Sequence, residues 1–262
     1  IASANDAAVA LAEQVAGTEE AFVEQMNARA KELGMNDTVF ENTNGLDDTT
    51  DTHLTSAKDI AIMSRELIKY PKIMEYSRIW MDTIRNGEFG LTNTNRLIRF
   101  YEGATGLKTG STAKAGFCIT ATAKRGDMTL IAVIMGADTR DSRNAAAVSL
   151  LNYGFSNYSI YKHQYRDLAD IKVLKGMEDS CSLVAEEFVT VIPKKKSANV
   201  KTSVSVQPNI TAPFSIESEV GEVIYTLDGE ELGRAKILTE HGVEKINFWR
   251  IFVRIFSKML LK

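Results

Sequence analysis

The chain has only two cysteines, Cys118 and Cys181, and three histidines among 262 residues. Two cysteines allow one disulfide at most and exclude a disulfide framework. No Cys or His cluster has metal-ligand spacing, so neither a metal nor another cofactor is expected. His53, His163 and His241 lack a Gly-x-Ser-x-Gly partner and are expected to be ordinary surface histidines. No run of about 20 apolar residues occurs, which excludes a helix that spans a membrane. Repeats and low-complexity tracts are absent, apart from Lys194-Lys195-Lys196, expected to be a solvated turn.

The net charge is small, −3, but unevenly spread. Residues 245–262 hold five basic side chains and no acidic one, so the remainder sums to −8. A basic tail on an acidic body argues for a local surface contact and against general nucleic-acid binding. A composition 44% hydrophobic and 25% charged is that of a soluble globular chain, long enough for one large or two smaller domains.

The periodicity predicts helices first. Ala8, Leu11, Ala12 and Val15 repeat at helical spacing until Gly17. A second helix is expected over about 19–33, before Gly34, and a third over 56–69, ended by Pro71. Residues 42–52 read as a loop. Runs 80–84 and 90–98 read as strands about an Asn86-Gly87 turn. Runs 117–123 and 129–135 follow as strands, and 144–153 as a helix. This order predicts a mixed α/β domain with an antiparallel sheet. From about Tyr161 the pattern changes to short alternating strands punctuated by Pro193, Pro208 and Pro213, with a hairpin at Asp228-Gly229.

Two short motifs stand far apart. Ser3-Ala4-Asn5 opens the first helix, and Ser3 with Asp6 three positions on has the spacing of a capping box. Lys108-Thr109-Gly110 precedes a strand-like run, where an exposed lysine before a turn would be unremarkable. Context makes them specific. Residues 3–12, Ser-Ala-Asn-Asp-Ala-Ala-Val-Ala-Leu-Ala, resemble the second-motif helix of D-alanyl-D-alanine carboxypeptidases, the low-molecular-mass penicillin-binding proteins. Residues 103–110, Gly-Ala-Thr-Gly-Leu-Lys-Thr-Gly, resemble their third motif, and Thr112-Ala113-Lys114-Ala115-Gly116 continues the match. Met135 to Thr139, Arg143 and Tyr153-Gly154-Phe155 are similar to the segment after the family's last strand.

The resemblance implies a serine β-lactamase/transpeptidase-like α/β fold over 1–160, incomplete at its N-terminus. A small all-β domain over 161–240 and an amphipathic helix over 241–262 would follow. It implies a hydrolase that removes the terminal D-alanine from peptidoglycan stem peptides through an acyl-enzyme, inhibited by β-lactams. Carried over, Ser3 shuttles protons, Asn5 positions the substrate and Lys108 binds its carboxylate. Thr109 adds a hydroxyl donor, Gly110 leaves room along the strand edge, and Ser111 and Arg143 border the substrate. An extended substrate would pair with that edge.

The family's nucleophile motif, Ser-x-x-Lys, should lie upstream of Ser3. The two matches here, Ser111 to Lys114 and Ser159 to Lys162, are not expected to be helical, and the chemistry needs Ser and Lys on one helix face. No acylation is therefore expected of this polypeptide alone. Two other readings stay open: a β-lactamase-type hydrolase, and a non-catalytic peptidoglycan-binding relative.

In the tail, Arg250, Arg254, Lys258 and Lys262 recur every four residues. Phe248, Trp249, Phe252 and Phe256 lie among the apolar residues between them. This predicts a helix in a membrane interface, with aromatics buried and Arg250, Arg254 and Lys258 toward anionic lipid, the other reading being a helix packed on the protein or a partner subunit. With the family resemblance, it implies the outer face of a bacterial cytoplasmic membrane.

Overall fold

A computed structural model of the chain describes residues 1–47 and 50–260, the backbone alone at 254, 255 and 257–260. The chain divides into two compact units, Ile1–Ser156 and Asn157–Lys262.

The first unit opens with α1 (Asn5–Ala16) and α2 (Glu19–Glu32). Gly17 ends α1 with φ of 88°, a value that favours glycine. The Thr18 hydroxyl accepts the Ala21 N–H at 3.1 Å and so caps α2. Ser56 caps α3 (Ala57–Leu67) in the same way. Asp59, in the first turn of α3, is buried, and its carboxylate accepts the Asp37 N–H and the Thr38 hydroxyl, both at 2.8 Å.

Pro71 does more than stop α3. It occupies the first turn of α4 (Pro71–Ser77), where a missing N–H costs nothing. The hairpin β1 (Met81–Ile84) and β2 (Phe89–Thr92) turns at Asn86-Gly87. The run expected to be strand through residue 98 breaks at Asn93, and Leu97–Phe100 forms a short helix, α5.

The central sheet is antiparallel, in the order β3 (Ala104–Thr112), β4 (Gly116–Arg125), β5 (Met128–Ala137). Residues 119–123 of β4 are buried without interruption, as expected of a strand covered on both faces. On one face Ser64 of α3 bonds Thr120 at 2.8 Å. Against the sheet lies α6 (Arg140–Asn157), where a Cβ on Gly154 would meet Leu130 Cδ1 at 2.5 Å. Arg125 lies over Tyr101 and Phe155, 4.9 and 4.6 Å from their ring centres.

The second unit is β-rich. Strand β6 (Tyr158–His163) precedes β7 (Ile171–Leu174), β8 (Ser180–Cys181), β9 (Leu183–Ala185) and β10 (Phe188–Pro193). Then come β11 (Val200–Val206), β12 (Asn209–Thr211), β13 (Glu219–Leu227) and β14 (Glu230–Thr239). They form a four-stranded sheet β11-β13-β14-β9, a three-stranded sheet β12-β7-β8, and the pair β10-β6. The core centres on Tyr225, stacked on Phe188 with ring centres 4.1 Å apart. His163, expected at the surface, packs here, its Nδ1 3.2 Å from the Tyr225 hydroxyl. Both cysteines are free, one in each unit.

The chain's last described element is α7 (Phe248–Leu260), capped by the Asn247 side chain, which accepts the Arg250 N–H at 2.9 Å. Phe248 and Trp249 are each 73% exposed, and Phe252 and Phe256 are also open to solvent. The side chains of Arg254 and Lys258, and the whole of Lys262, lie outside the described residues. Among the described residues no helix is long and apolar enough to cross a membrane.

Candidate active site

Strand β3 lies at one edge of the central sheet, and Lys108, Thr109 and Gly110 lie along it, paired to Thr120, Ile119 and Cys118. Upstream, the edge is covered. Ser77 Oγ donates to the Thr105 carbonyl and Asn95 Nδ2 to the Gly106 carbonyl, each at 2.8 Å. A Cβ on Gly106 would stand 2.9 Å from Ser77 Oγ, so glycine permits this approach. Over Gly110 the space is open, with nothing within 4 Å of an added Cβ.

Ser3 does not cap α1. The cap position falls on Ala4, without a side-chain bond, and Asp6 accepts the N–H of its neighbour Ala7 instead. Ser3 itself has φ of 60°, the left-handed region uncommon for residues other than glycine. Its Oγ stands 2.8 Å from Lys108 Nζ and accepts a hydrogen bond from it. The ammonium also donates to the Thr109 carbonyl. The capping-box reading is thus replaced by a bond across the fold. Asn5 is exposed in the first turn of α1, and Ser111 is exposed at the far end of β3.

Lys108 is open to solvent on one side, yet protein crowds its ammonium. That partial desolvation, helped by the charge of Arg143, draws its pKa below the usual lysine value. Arg143, near the start of α6, is buried, 4% exposed. Its Nη1 donates to the Cys118 carbonyl at 3.4 Å, behind the strand segment paired to Gly110. Its Nε and Nη2 both reach Asn144 Oδ1, at 3.2 and 3.0 Å. Burial, then the nearby Arg140, lowers its own pKa. Among the described residues no carboxylate pairs with Lys108 or Arg143. A lysine without a carboxylate partner at an open strand edge, with the charge of buried Arg143 nearby, suits an anion such as a carboxylate.

Neither Ser-x-x-Lys spacing stands on a helix. Ser111 is in β3, and Lys114, in the turn after it, donates to the Asp47 and Thr50 carbonyls at 3.0 and 2.9 Å and pairs with Asp51 at 2.7 Å. Thr112 adds a bond to Asp47 at 2.6 Å, so Asp47, Thr50 and Asp51 are pinned to the end of β3. Ser159 and Lys162 are both in β6. Among the described residues no group of three metal-ligating side chains stands together.

Two contributors escaped the sequence reading. Thr94 Oγ1 lies 2.7 Å from Thr109 Oγ1, and Asn93 ties Thr94's segment to α4. Their signal, a polar Asn-Thr-Asn run interrupting an apolar stretch, was read as the continuation of a strand.

A family profile described as D-alanyl-D-alanine carboxypeptidase matches residues 1–139, and one described as penicillin-binding protein 5, C-terminal domain, matches residues 155–245. D-alanyl-D-alanine carboxypeptidase DacF of Bacillus subtilis is 41% identical over 95% of this chain and 65% of its own length. DacC of Escherichia coli is 32% identical over 100% of this chain and 65% of its own length. The chain thus spans 65% of the length of these relatives. Penicillin-binding protein 5 from Haemophilus influenzae superposes with a TM-score of 0.78 at 31% identity, over 93% of this chain and 72% of that one. Penicillin-binding protein D2 from Listeria monocytogenes, in its ampicillin-bound form, gives 0.54 at 35% identity, over 58% of this chain and 63% of that one. With its α/β unit matched by the first profile and its β-rich unit by the second, the chain belongs to the D-alanyl-D-alanine carboxypeptidase family of serine peptidases.

Proposed function

We propose that the protein removes the terminal D-alanine from peptidoglycan stem peptides through an acyl-enzyme, and that β-lactams acylate the same serine. The observation that carries this reading is the 2.8 Å bond between Ser3 and Lys108, which joins the two motifs at the open edge of β3. Lys108 receives the substrate carboxylate, with Thr109 as a hydroxyl donor and Arg143 adding positive charge from behind the sheet. Ser3, held by that ammonium, relays the proton that the leaving amine needs. Asn5 holds the substrate amide, and Gly110 and Ser111 border the extended peptide. Residues 1–160 are assigned this catalytic role, in which the acylated serine is not one of these 262 residues.

The β-rich region over 161–240 then leads to residues 241–262 as a membrane-surface anchor. The exposed Phe248, Trp249, Phe252 and Phe256 enter the interface and Arg250, Arg254 and Lys258 meet anionic lipid, on the outer face of a bacterial cytoplasmic membrane.

The test is the intact mass of the full-length gene product before and after penicillin, with D-alanine release from a D-Ala-D-Ala peptide followed in parallel. One penicillin equivalent per chain and free D-alanine are expected. No adduct and no D-alanine would overturn the reading in favour of a non-catalytic binding protein. Rapid release of hydrolysed penicillin would move it to a β-lactamase.

A further inference from the structure

The segment Asn93-Thr94-Asn95 clasps β3 from outside the sheet. Asn93 Nδ2 donates to the Ser77 and Ile79 carbonyls at 3.1 and 2.8 Å, and its Oδ1 accepts the Asn95 N–H at 2.9 Å. Asn95 Nδ2 reaches the Gly106 carbonyl, and its Oδ1 accepts the Leu97 N–H at 3.1 Å. Both asparagines are buried, so the backbone of the residue between them is fixed. Thr94 itself is exposed. Packing does not hold it, yet its hydroxyl is brought to 2.7 Å from that of buried Thr109.

A hydroxyl has one proton to give and two lone pairs. If Thr109 donates to Thr94, its proton is used within the protein. If Thr94 donates, the Thr109 proton is left to point elsewhere. A carboxylate only accepts, so a bound substrate carboxylate selects the second arrangement.

We infer that Thr94 is a positioning residue for substrate binding: it donates to Thr109 and so turns the Thr109 hydroxyl proton toward the substrate carboxylate. The inference rests on the reading of the site given above and adds to it a residue outside both motifs.

The experiment is steady-state kinetics of the full-length protein on a peptide ending in D-Ala-D-Ala. Thr94→Ala and Thr94→Val raise KM about three- to tenfold, the worth of one neutral hydrogen bond, with little change in kcat. Thr94→Ser, which keeps the hydroxyl, restores the wild-type KM. In a Thr109→Ala background, Thr94→Ala adds no further loss, because the two act as one unit. A wild-type KM for Thr94→Ala would overturn the inference. So would Thr94→Ser as impaired as Thr94→Ala, or a full additional loss in the Thr109→Ala background. A full-length wild type that neither releases D-alanine nor takes up penicillin overturns the site reading and this inference together. An active wild type with a silent Thr94→Ala overturns this inference alone.

Discussion

The hydroxyl of Ser3 and the ammonium of Lys108 are 105 positions apart in sequence and 2.8 Å apart in the fold. Ser3 gives up a helix-capping role to make this contact, and Lys108 makes it at an edge where its charge is only partly hydrated. In the full-length protein, Lys108→Ala is expected to slow penicillin acylation by about 10- to 10²-fold, the usual worth of a hydrogen bond to a charged group. Ser3→Ala lowers the rate in the same direction. Lys108→Arg does not restore it, since a planar guanidinium cannot take the place of a compact ammonium. Fluorescent-penicillin labelling followed over time reads all three.

The pH profile follows from the lowered pKa of Lys108, caused first by desolvation and then by Arg143. Carboxylate binding needs the protonated lysine, so the alkaline limb of kcat/KM falls below the ordinary lysine value of 10.5. Arg143→Gln removes a repelling charge and favours the protonated form, so that limb moves to higher pH. For stability the sign is the reverse of an ion pair. The folded state holds this proton more weakly than the unfolded state, so Lys108 penalises folding below its folded pKa. That penalty is relieved as pH rises through the folded pKa toward 10.5. A limb that stays in place in Arg143→Gln would count against the coupling.

Asp59 is the buried carboxylate on which α3 and the 37–38 turn converge. Asp59→Ala leaves the Asp37 N–H and the buried Thr38 hydroxyl without this acceptor and is expected to cost about 1–3 kcal/mol. Leu151→Ala, in the face of α6 against the sheet, costs about 2–5 kcal/mol. Urea unfolding of the full-length protein measures both, as a fall in midpoint at unchanged slope.

For the tail, the full-length protein is expected to sediment with vesicles containing anionic lipid and to be released as salt rises. Replacing Trp249 and Phe252 by Glu abolishes sedimentation. Arg250→Gln weakens it about fivefold, following the roughly 1 kcal/mol that a basic side chain gains at such a surface. Equal binding to neutral vesicles would argue against the electrostatic part.

Much of the fold was legible because it rests on local signals. Gly17 and Gly34 marked helix ends, Asn86-Gly87 marked the hairpin, and the order of helices and strands gave the mixed α/β class. Ser3 and Lys108 were legible as motifs, though their contact was not, since only the folded sheet brings them together. The burial of Arg143 was not legible for a related reason. Its burial is set by α6 lying against β4, and a charge at a helix start carries no sign of that. Pro71 was read as a stop because proline ends one helix and starts the next by the same lack of an N–H. Asn93 to Asn95 were absorbed into a strand because their partners, Ser77, Ile79 and Gly106, are distant carbonyls that leave no periodic trace.

The two side chains that cover the carbonyls of Thr105 and Gly106 also set a length scale. A bare sheet edge invites any extended chain, in any register. Here Ser77 and Asn95 close one end, so on the proposed reading an added strand is confined to the rest of the edge, of which β3 has six residues, 107–112, about 20 Å at strand spacing. On that reading it is a berth for a few residues rather than a template for another sheet, and the edge would gauge how much peptide can lie against it.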